Sequence, residues 1–395
     1  MTARGALMPF PARLKTELKI DPVLLGIVLA LLLGGFVILA SASISISDNV
    51  AGNPFFYIQR QLLAAAIGAV VGGICLFIPM QVWQNMGPVM LFVGLALLVL
   101  VLVPGVGYEV NGSTRWVRVG IMNLQVSEPA RLCFLMYLAG YLVRRSKALR
   151  EEFMGFLRPM LVLTLACVLL LKEPDFGAAI VLLATALAML FVAGARIRDF
   201  VVFFSAAVLA MAALAITSPY RMKRLTGFLD PWADPYDSGF QLTQSLIAIG
   251  RGEWVGVGLG ESVQKLFYLP EAHTDFVFAV FAEEFGLLGS LTLIALFLAL
   301  LWRIFKLSKR AHDAERFFEA YMAVGLGTWL GLQAFINVGV NMGMLPTKGL
   351  TLPLISYGRS SLIITMIGIG LLLRIHHELA VDAKPVNRKR GRRKK

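Results

Sequence analysis

A chain of 395 residues that is 58% hydrophobic, with a mean hydropathy of +0.75, lies outside the range of soluble domains and is read as a polytopic membrane protein. Its net charge of +13 and basic tail from Arg388 to Lys395 fit membrane topology and anionic headgroups, and exclude nucleic acid as a partner, because no aromatic stacking residues interleave with these charges. The cysteines Cys75, Cys133 and Cys167 fall in apolar runs without disulfide or metal-ligand spacing, which excludes a thiol site.

The N-terminal segment 1–22 carries Arg4, Arg13, Lys15 and Lys19 ahead of a full-length apolar span with no small-residue cleavage site, so the first span is expected to stay in the mature protein. Apolar windows predict helices at 23–42, 60–78, 87–104, 128–143, 157–171, 177–194, 199–217, 276–302, 318–341 and 360–375. Ten spans put both termini on one side. With that side cytoplasmic, most of the 37 Lys and Arg residues collect inside. The expected architecture is therefore an all-α membrane domain over 23–375, between the cytoplasmic segment 1–22 and a basic cytoplasmic tail at 376–395. A long structured extracytoplasmic loop, 218–274, joins the seventh and eighth spans. The cations left outside, Arg60, Arg115, Arg118, Arg131, Lys172, Arg221, Lys223, Arg224, Arg251, Lys265, Lys348 and Arg359, act against the orientation rule and are candidate anion ligands.

In chain order, the run Ala64 to Gly73 is rich in small residues and permits close helix packing, against a partner or within the protein. Asn111 to Trp116 and Asn123 to Arg131 follow the third span. There Ser127 is placed to cap the fourth helix with Pro129 in its first turn, and Glu128 and Arg131, three apart, can pair or line a polar cavity. Lys172-Glu173-Pro174-Asp175-Phe176-Gly177 joins spans five and six. Asp175 is placed to cap the sixth helix, and Lys172 is a phosphate candidate.

In the long loop, Asp230 to Gly239 reads as successive turns and Phe240 to Ile249 as an apolar helix too short to span. Gly250, Gly252, Gly256, Gly258 and Gly260 lack the Lys-Ser/Thr pair of a phosphate loop and read as turns or points of close backbone approach.

The stretch Pro270 to Gly289 holds His273 and Asp275 at the lip of an apolar span, with Glu283 and Glu284 inside it. An ionised carboxylate at mid-bilayer costs roughly 2.5–3.5 kcal/mol, so acidic groups retained there line a wet cavity, a reaction site or an ion pair. Asp275 can take a proton from an attacking hydroxyl or cap the eighth span. Glu283 and Glu284 are expected to pair with Lys or Arg of neighbouring helices. Between the last two spans, Pro346 to Ser361 is dense in donors, and Lys348, Arg359 and Ser360 near a helix N-terminus form a candidate diphosphate cradle.

Together, Asn111 to Trp116, Gln125 to Glu128, Lys172 to Gly177, Pro270 to Phe276 and Pro346 to Ser361 resemble the motifs of the SEDS family of bacterial cell-wall polymerases, from about Asp21 to Arg374. Thr347 to Pro353 is similar to the division branch. Arg359 stands where many relatives have Gly, and Arg131 where many have Lys.

The resemblance implies glycosyl transfer between two molecules of lipid II, the undecaprenyl-diphosphate-linked disaccharide-pentapeptide, with Asp275 as the catalytic base. Arg115, Glu128, Arg131, Lys172, His273, Lys348, Arg359 and Ser360 are the implied substrate-binding set. It also implies a divalent cation, Mg or Mn, accompanying the substrate diphosphate, and no organic cofactor. The implied partners are a class B penicillin-binding protein transpeptidase and division regulators of the FtsQ, FtsL and FtsB type, at the septum in the bacterial inner membrane. A lipid II flippase and a division scaffold are the alternatives. Glu283 and Glu284 are the residues that would serve a flippase path.

Overall fold

The computed structural model describes residues 18–110, 113–120, 122–216, 227–237, 239–347 and 349–382. Each predicted window coincides with a helix: α1 (Pro22–Ala51), α2 (Phe56–Phe77), α4 (Gly87–Val101), α5 (Ser127–Arg144), α7 (Phe153–Lys172), α8 (Phe176–Val192), α9 (Ile197–Ile216), α11 (Val277–Asp313), α12 (Phe317–Asn341) and α13 (Arg359–Asp382). Short helices α3 (Met80–Asn85) and α6 (Ser146–Glu151) make inner-side connections, and α10 (Phe240–Arg251) is the short helix expected in the long loop. Among the described residues six helices, α1, α2, α7, α11, α12 and α13, are long and apolar enough to cross a membrane by themselves; α4 and α8 are shorter apolar helices.

The helical expectation lacks one element. Between α4 and α5 lies a three-stranded antiparallel sheet of β1 (Gly107–Val110), β2 (Ser113–Val119) and β3 (Met122–Gln125), in that order. Val110 pairs with Ser113 across the Asn-Gly dipeptide at 111–112, which itself lies outside the described residues; that dipeptide is the strongest short hairpin signal.

The most apolar stretches of α12 and α13 are 67% and 78% buried, against 28–39% for α1, α2, α7 and α11, so the last two helices form the centre of the bundle. The small-residue run of α2 serves packing within the chain. A Cβ on Gly72 would lie 2.6 Å from the Met366 carbonyl of α13, and one on Gly370 would collide with the Gly72 carbonyl. Two backbones this close leave space for nothing but hydrogen at both positions.

Helix α11 is broken at Gly286, where φ is 64° and ψ is −162°. The freed backbone groups are taken by the loop after α10. Val257 N donates to the Glu283 carbonyl at 3.0 Å and Gly258 N to that of Glu284 at 3.1 Å, while Leu287 N and Leu288 N donate to the Glu253 and Trp254 carbonyls at 2.9 and 3.1 Å. Lipid could not satisfy these amides, so an irregular loop survives at this depth only against another backbone. Gly256 is one of the glycines read as a close approach, and a Cβ there would meet the Glu284 carbonyl.

At the opposite end the chain's two described ends lie side by side. Asp21 caps α1, accepting from Val23 N and Leu24 N, and also receives Arg303 Nε at 2.7 Å and Nη2 at 2.9 Å from α11. His376 of α13 stands 3.5 Å from the same carboxylate, and Lys19 Nζ donates to the Ala380 carbonyl at 2.6 Å. Glu378 gathers Met80 N, Arg374 and Arg316.

Candidate functional site

The site is strung on one face of α12. Trp329, Gln333, Asn337 and Asn341 recur every fourth residue, and on a helix that spacing places them in one row. Trp329 Nε1 donates to Gln333 Oε1 at 2.8 Å, and Gln333 Nε2 donates to the Thr351 carbonyl at 3.0 Å. One turn on, Asn337 Nδ2 donates to the carbonyls of Asp275 (2.8 Å) and Leu350 (2.6 Å); a turn further, Asn341 Nδ2 donates to the same Asp275 carbonyl at 2.9 Å. Asn341 Oδ1 accepts from Ala279 N at 3.1 Å, so a single side chain holds both the entry to α11 and the residue before it.

These bonds fix the Asp275 main chain, and the residue as a whole is half-buried. Its Oδ2 would lie 2.9 Å from a Cβ on Gly349, so the carboxylate abuts the loop between α12 and α13. Asp275 does not cap α11: the cap position is Phe276, with no side-chain capping bond.

His273 is buried beside it and joins an aromatic cluster, its ring 4.6 Å from Tyr57 and 5.8 Å from Tyr357. Burial pushes its pKa below the usual imidazole value, against the opposing charge of Glu271, so His273 is neutral at pH 7. Its Nδ1 has no hydrogen-bond partner among the described residues.

A second polar layer lies at the outer ends of α5, α8 and α13. Arg131 is 2% exposed, stands 3.6 Å from Glu128, donates to Gln333 Oε1 at 3.3 Å and lies 5.2 Å from the Trp329 ring centroid. The Glu128–Arg131 pair expected at i,i+3 is present and belongs to this layer. Asp175 caps α8 by accepting from Ala178 N at 3.1 Å, as expected, and also accepts from Ser127 Oγ at 3.0 Å and Gln125 Nε2 at 3.2 Å. Ser127 is therefore not a cap. It is the first residue of α5, Val126 takes the cap position, and the hydroxyl is drawn to the Asp175 carboxylate.

The remaining candidates divide. Arg115 is committed to structure: Nε donates to the Glu173 carbonyl at 3.1 Å and Nη2 to that of Pro174 at 2.5 Å, pinning the α7–α8 loop to β2. Lys172 is exposed. Of the expected cradle, Arg359 and Ser360 are the described members, and their side chains part. Ser360 Oγ accepts from Gln125 N at 2.9 Å and donates to the Asn123 carbonyl at 3.3 Å, which ties α13 to β3, whereas Arg359 lines a cavity with Arg60 of α2. Lys348, Arg221, Lys223 and Arg224 lie outside the described residues.

Glu283 and Glu284 pair with basic residues as expected, Glu283 with Arg251 at the end of helix α10 and Glu284 with Lys265 of the loop after it. Arg251 Nη1 reaches Glu283 at 3.0 Å and Lys265 Nζ reaches Glu284 at 2.9 Å, while Ser262 Oγ donates to Glu283 at 2.5 Å and Ser41 Oγ to Glu284 at 2.6 Å. Bound this way, both carboxylates staple the loop to α11.

The residues missed at the sequence level are Gln61, Gln333, Asn337 and Asn341. The signal was present: amides four apart inside an apolar span are costly in lipid and mark a polar interior. Among the described residues no cluster of three or more His, Cys, Asp or Glu is placed to hold a metal ion.

Residues 22–381 match the model of the family described as cell cycle protein, FtsW/RodA/SpoVE. The chain is 56% identical over 359 residues to a protein of Thioalkalivibrio sulfidiphilus named probable peptidoglycan glycosyltransferase FtsW, covering 91% of this chain and 90% of that one. It is 55% identical over 358 residues to the protein of the same name from Nitrosococcus halophilus, covering 91% and 92%. Among solved structures it is similar to a chain of a peptidoglycan synthase complex described as coordinating polymerization and crosslinking, at TM-score 0.75 and 32% identity over 92% of this chain and 99% of that one. The rod shape determining protein RodA of Thermus thermophilus gives TM-score 0.67 and 31% identity over 91% and 98%.

Proposed function

The chain belongs to the FtsW/RodA/SpoVE family of cell cycle proteins, and on that premise we propose that it is a peptidoglycan glycosyltransferase that polymerises lipid II during division, with Asp275 as the base. The observation that carries the residue assignment is the double clamp of α12 amides on the main chain of Asp275, a half-buried residue. A base must be held where its proton donor will arrive.

Asp275 accepts the proton of the acceptor sugar's 4-hydroxyl as that oxygen bonds to the donor's anomeric carbon. The bond from that carbon to the diphosphate breaks, and undecaprenyl diphosphate departs with the electron pair. Attack opposite the leaving group inverts the anomeric centre, by the stereochemical logic of glycosidases. Charge develops on the diphosphate, where outer-face cations stabilise it; Lys172 and Arg359 are the described members of the expected set not tied to the backbone or to a carboxylate. Neutral His273 shapes the rim beside the base and contributes no charge there. A Mg or Mn ion accompanying the substrate's diphosphate would add to that charge stabilisation.

Both substrates keep their lipid in the bilayer, which fits a catalyst built wholly of membrane helices and short loops. A class B penicillin-binding protein is the proposed partner, with division regulators acting on the pair at the septum of the inner membrane; similarity to a chain of a synthase complex supports the partner.

The test is incubation of purified protein, with and without that transpeptidase, with labelled lipid II in detergent, resolving products by size. Wild type is expected to give long glycan strands and Asp275→Asn none, a loss of at least 100-fold on the scale of general-base removal. Near-normal strands from a folded Asp275→Asn protein would sink the base assignment, and no polymer from wild type would sink the polymerase.

A further inference from the structure

Most outer-face cations among the described residues have an acceptor of their own. Arg115 holds two carbonyls, Arg131 pairs with Glu128, Arg251 with Glu283 and Lys265 with Glu284, and Arg118 lies over the Tyr108 ring. Arg60 lies over the Phe56 ring at 3.9 Å and hydrogen-bonds the Tyr357 phenol, but neither it nor Arg359 has a carboxylate partner among the described residues, and together they wall one cavity of about 160 Å3, completed by Leu63 and Met122. One water needs only about 10–15 Å3 of such space, so the cavity has room for a head group.

The pairing of these two arginines is built, not incidental. Gln61, next to Arg60 on α2, is buried and faces inward; its Nε2 donates to the Ser356 carbonyl at 3.0 Å and its Oε1 accepts from Gly358 N at 3.3 Å. This clamp ties the turn before α13 to α2 and delivers Arg359 beside Arg60. Both guanidiniums act on the Tyr357 phenol, whose pKa burial nonetheless pushes above its usual value. Arginine cannot shed its charge, so two of them sharing a cavity favour an anion between them, and their planar forks suit phosphate oxygens.

Two features say what carries the anion. From the cavity toward the inner side, Leu62, Leu63, Val70, Ile74 and Phe77 leave the lipid-facing side of α2 an exposed apolar strip. In the other direction the Tyr57 ring lies 4.9 Å from Tyr357 and 4.6 Å from His273, two residues before Asp275.

We propose that the Arg60–Arg359 cavity holds the phosphate head of an outer-leaflet lipid whose chain lies along α2. This rests on the reading of the protein as a lipid II polymerase for the lipid's identity, a polyprenyl diphosphate whose sugars extend over Tyr57 and Tyr357 toward Asp275. An anionic phospholipid offers the same head-group chemistry.

Native mass spectrometry of the purified full-length protein, titrated separately with undecaprenyl diphosphate and phosphatidylglycerol, distinguishes the two. The double variant Arg60→Gln with Arg359→Gln is expected to bind undecaprenyl diphosphate at least tenfold more weakly, with its melting temperature retained. Met122→Trp, which fills the cavity and leaves both charges, is expected to weaken binding as well, and it keeps the proposal testable should the double variant misfold. Loss for undecaprenyl diphosphate alone supports the substrate lipid; loss for phosphatidylglycerol alone supports the phosphate site and overturns the substrate assignment. Unchanged binding of both lipids overturns the site itself. Asp275→Asn is expected to bind like wild type. Arginine-dependent binding by a protein that makes no glycan would remove the polymerase reading while leaving the lipid site in place.

Discussion

Glu173 is fully buried, neither of its carboxylate oxygens has a hydrogen-bond partner among the described residues, and burial, then the Asp175 charge, push its pKa up to about 8 against the pull of Arg115. The folded state therefore holds a proton that the unfolded chain releases near pH 4.3. Stability from this group is full below that value and is lost as pH rises through about 8. The melting temperature of wild type in detergent is expected to fall between pH 6 and 9, and Glu173→Gln to flatten that fall; an unchanged slope would remove Glu173 as its source. Gly349 faces the reverse constraint. Gly349→Ala would place a methyl 2.9 Å from Asp275 Oδ2, which tilts the carboxylate, so polymerisation is expected to drop about tenfold or more with little change in melting temperature. Residue-level chemistry was legible where partners are local, as in the Asp175 cap and the Glu128–Arg131 pair. It was not legible for Ser127, Ser360 or Arg115, because their partners lie 48 to 237 residues away in sequence.

The helices were legible as elements because their apolar windows are long, and α12 was expected at 318–341 against the observed Phe317–Asn341. The break in α11 was not, since the window over 276–302 reads as one run and the distortion is created by a loop that pairs with its backbone. The small sheet was overlooked although an Asn-Gly dipeptide flanked by strand formers announced it. At this scale α2 and α13 meet backbone to backbone. Gly370→Ala is expected to destabilise the protein by about 1–3 kcal/mol, the usual range for overpacking, because the obstructing atom is a backbone carbonyl that cannot rotate away. A melting temperature equal to wild type would show that the two helices slide apart without cost.

For the whole molecule, charge distribution predicted which face is which, and composition predicted that the bundle is membranous, but neither could show how first and last helices meet. They meet through Asp21, whose carboxyl burial alone would push up, but which the Arg303 hydrogen bonds and Leu24 N hold below the usual range. Arg303→Ala strands a carboxylate that is 1% exposed as a residue, and about 1.5–3 kcal/mol of stability is expected to go with it. The same linkage gives a sign with pH: a depressed carboxyl supplies stability above its unfolded pKa and loses it as pH falls through the folded one. Wild type should therefore lose more stability than Arg303→Ala on acidification below about pH 4, by thermal melting.

The four-residue row on α12 sets a rule for how this chain can change length. Each added residue turns a helix by about 100° and lifts it by about 1.5 Å, so one insertion between Trp329 and Asn337 would swing both asparagines away from the Asp275 carbonyl. Spans that face only lipid can absorb an indel by tilting. This one is indexed like a screw thread against the Asp275 loop, so its length between those residues is not free to drift.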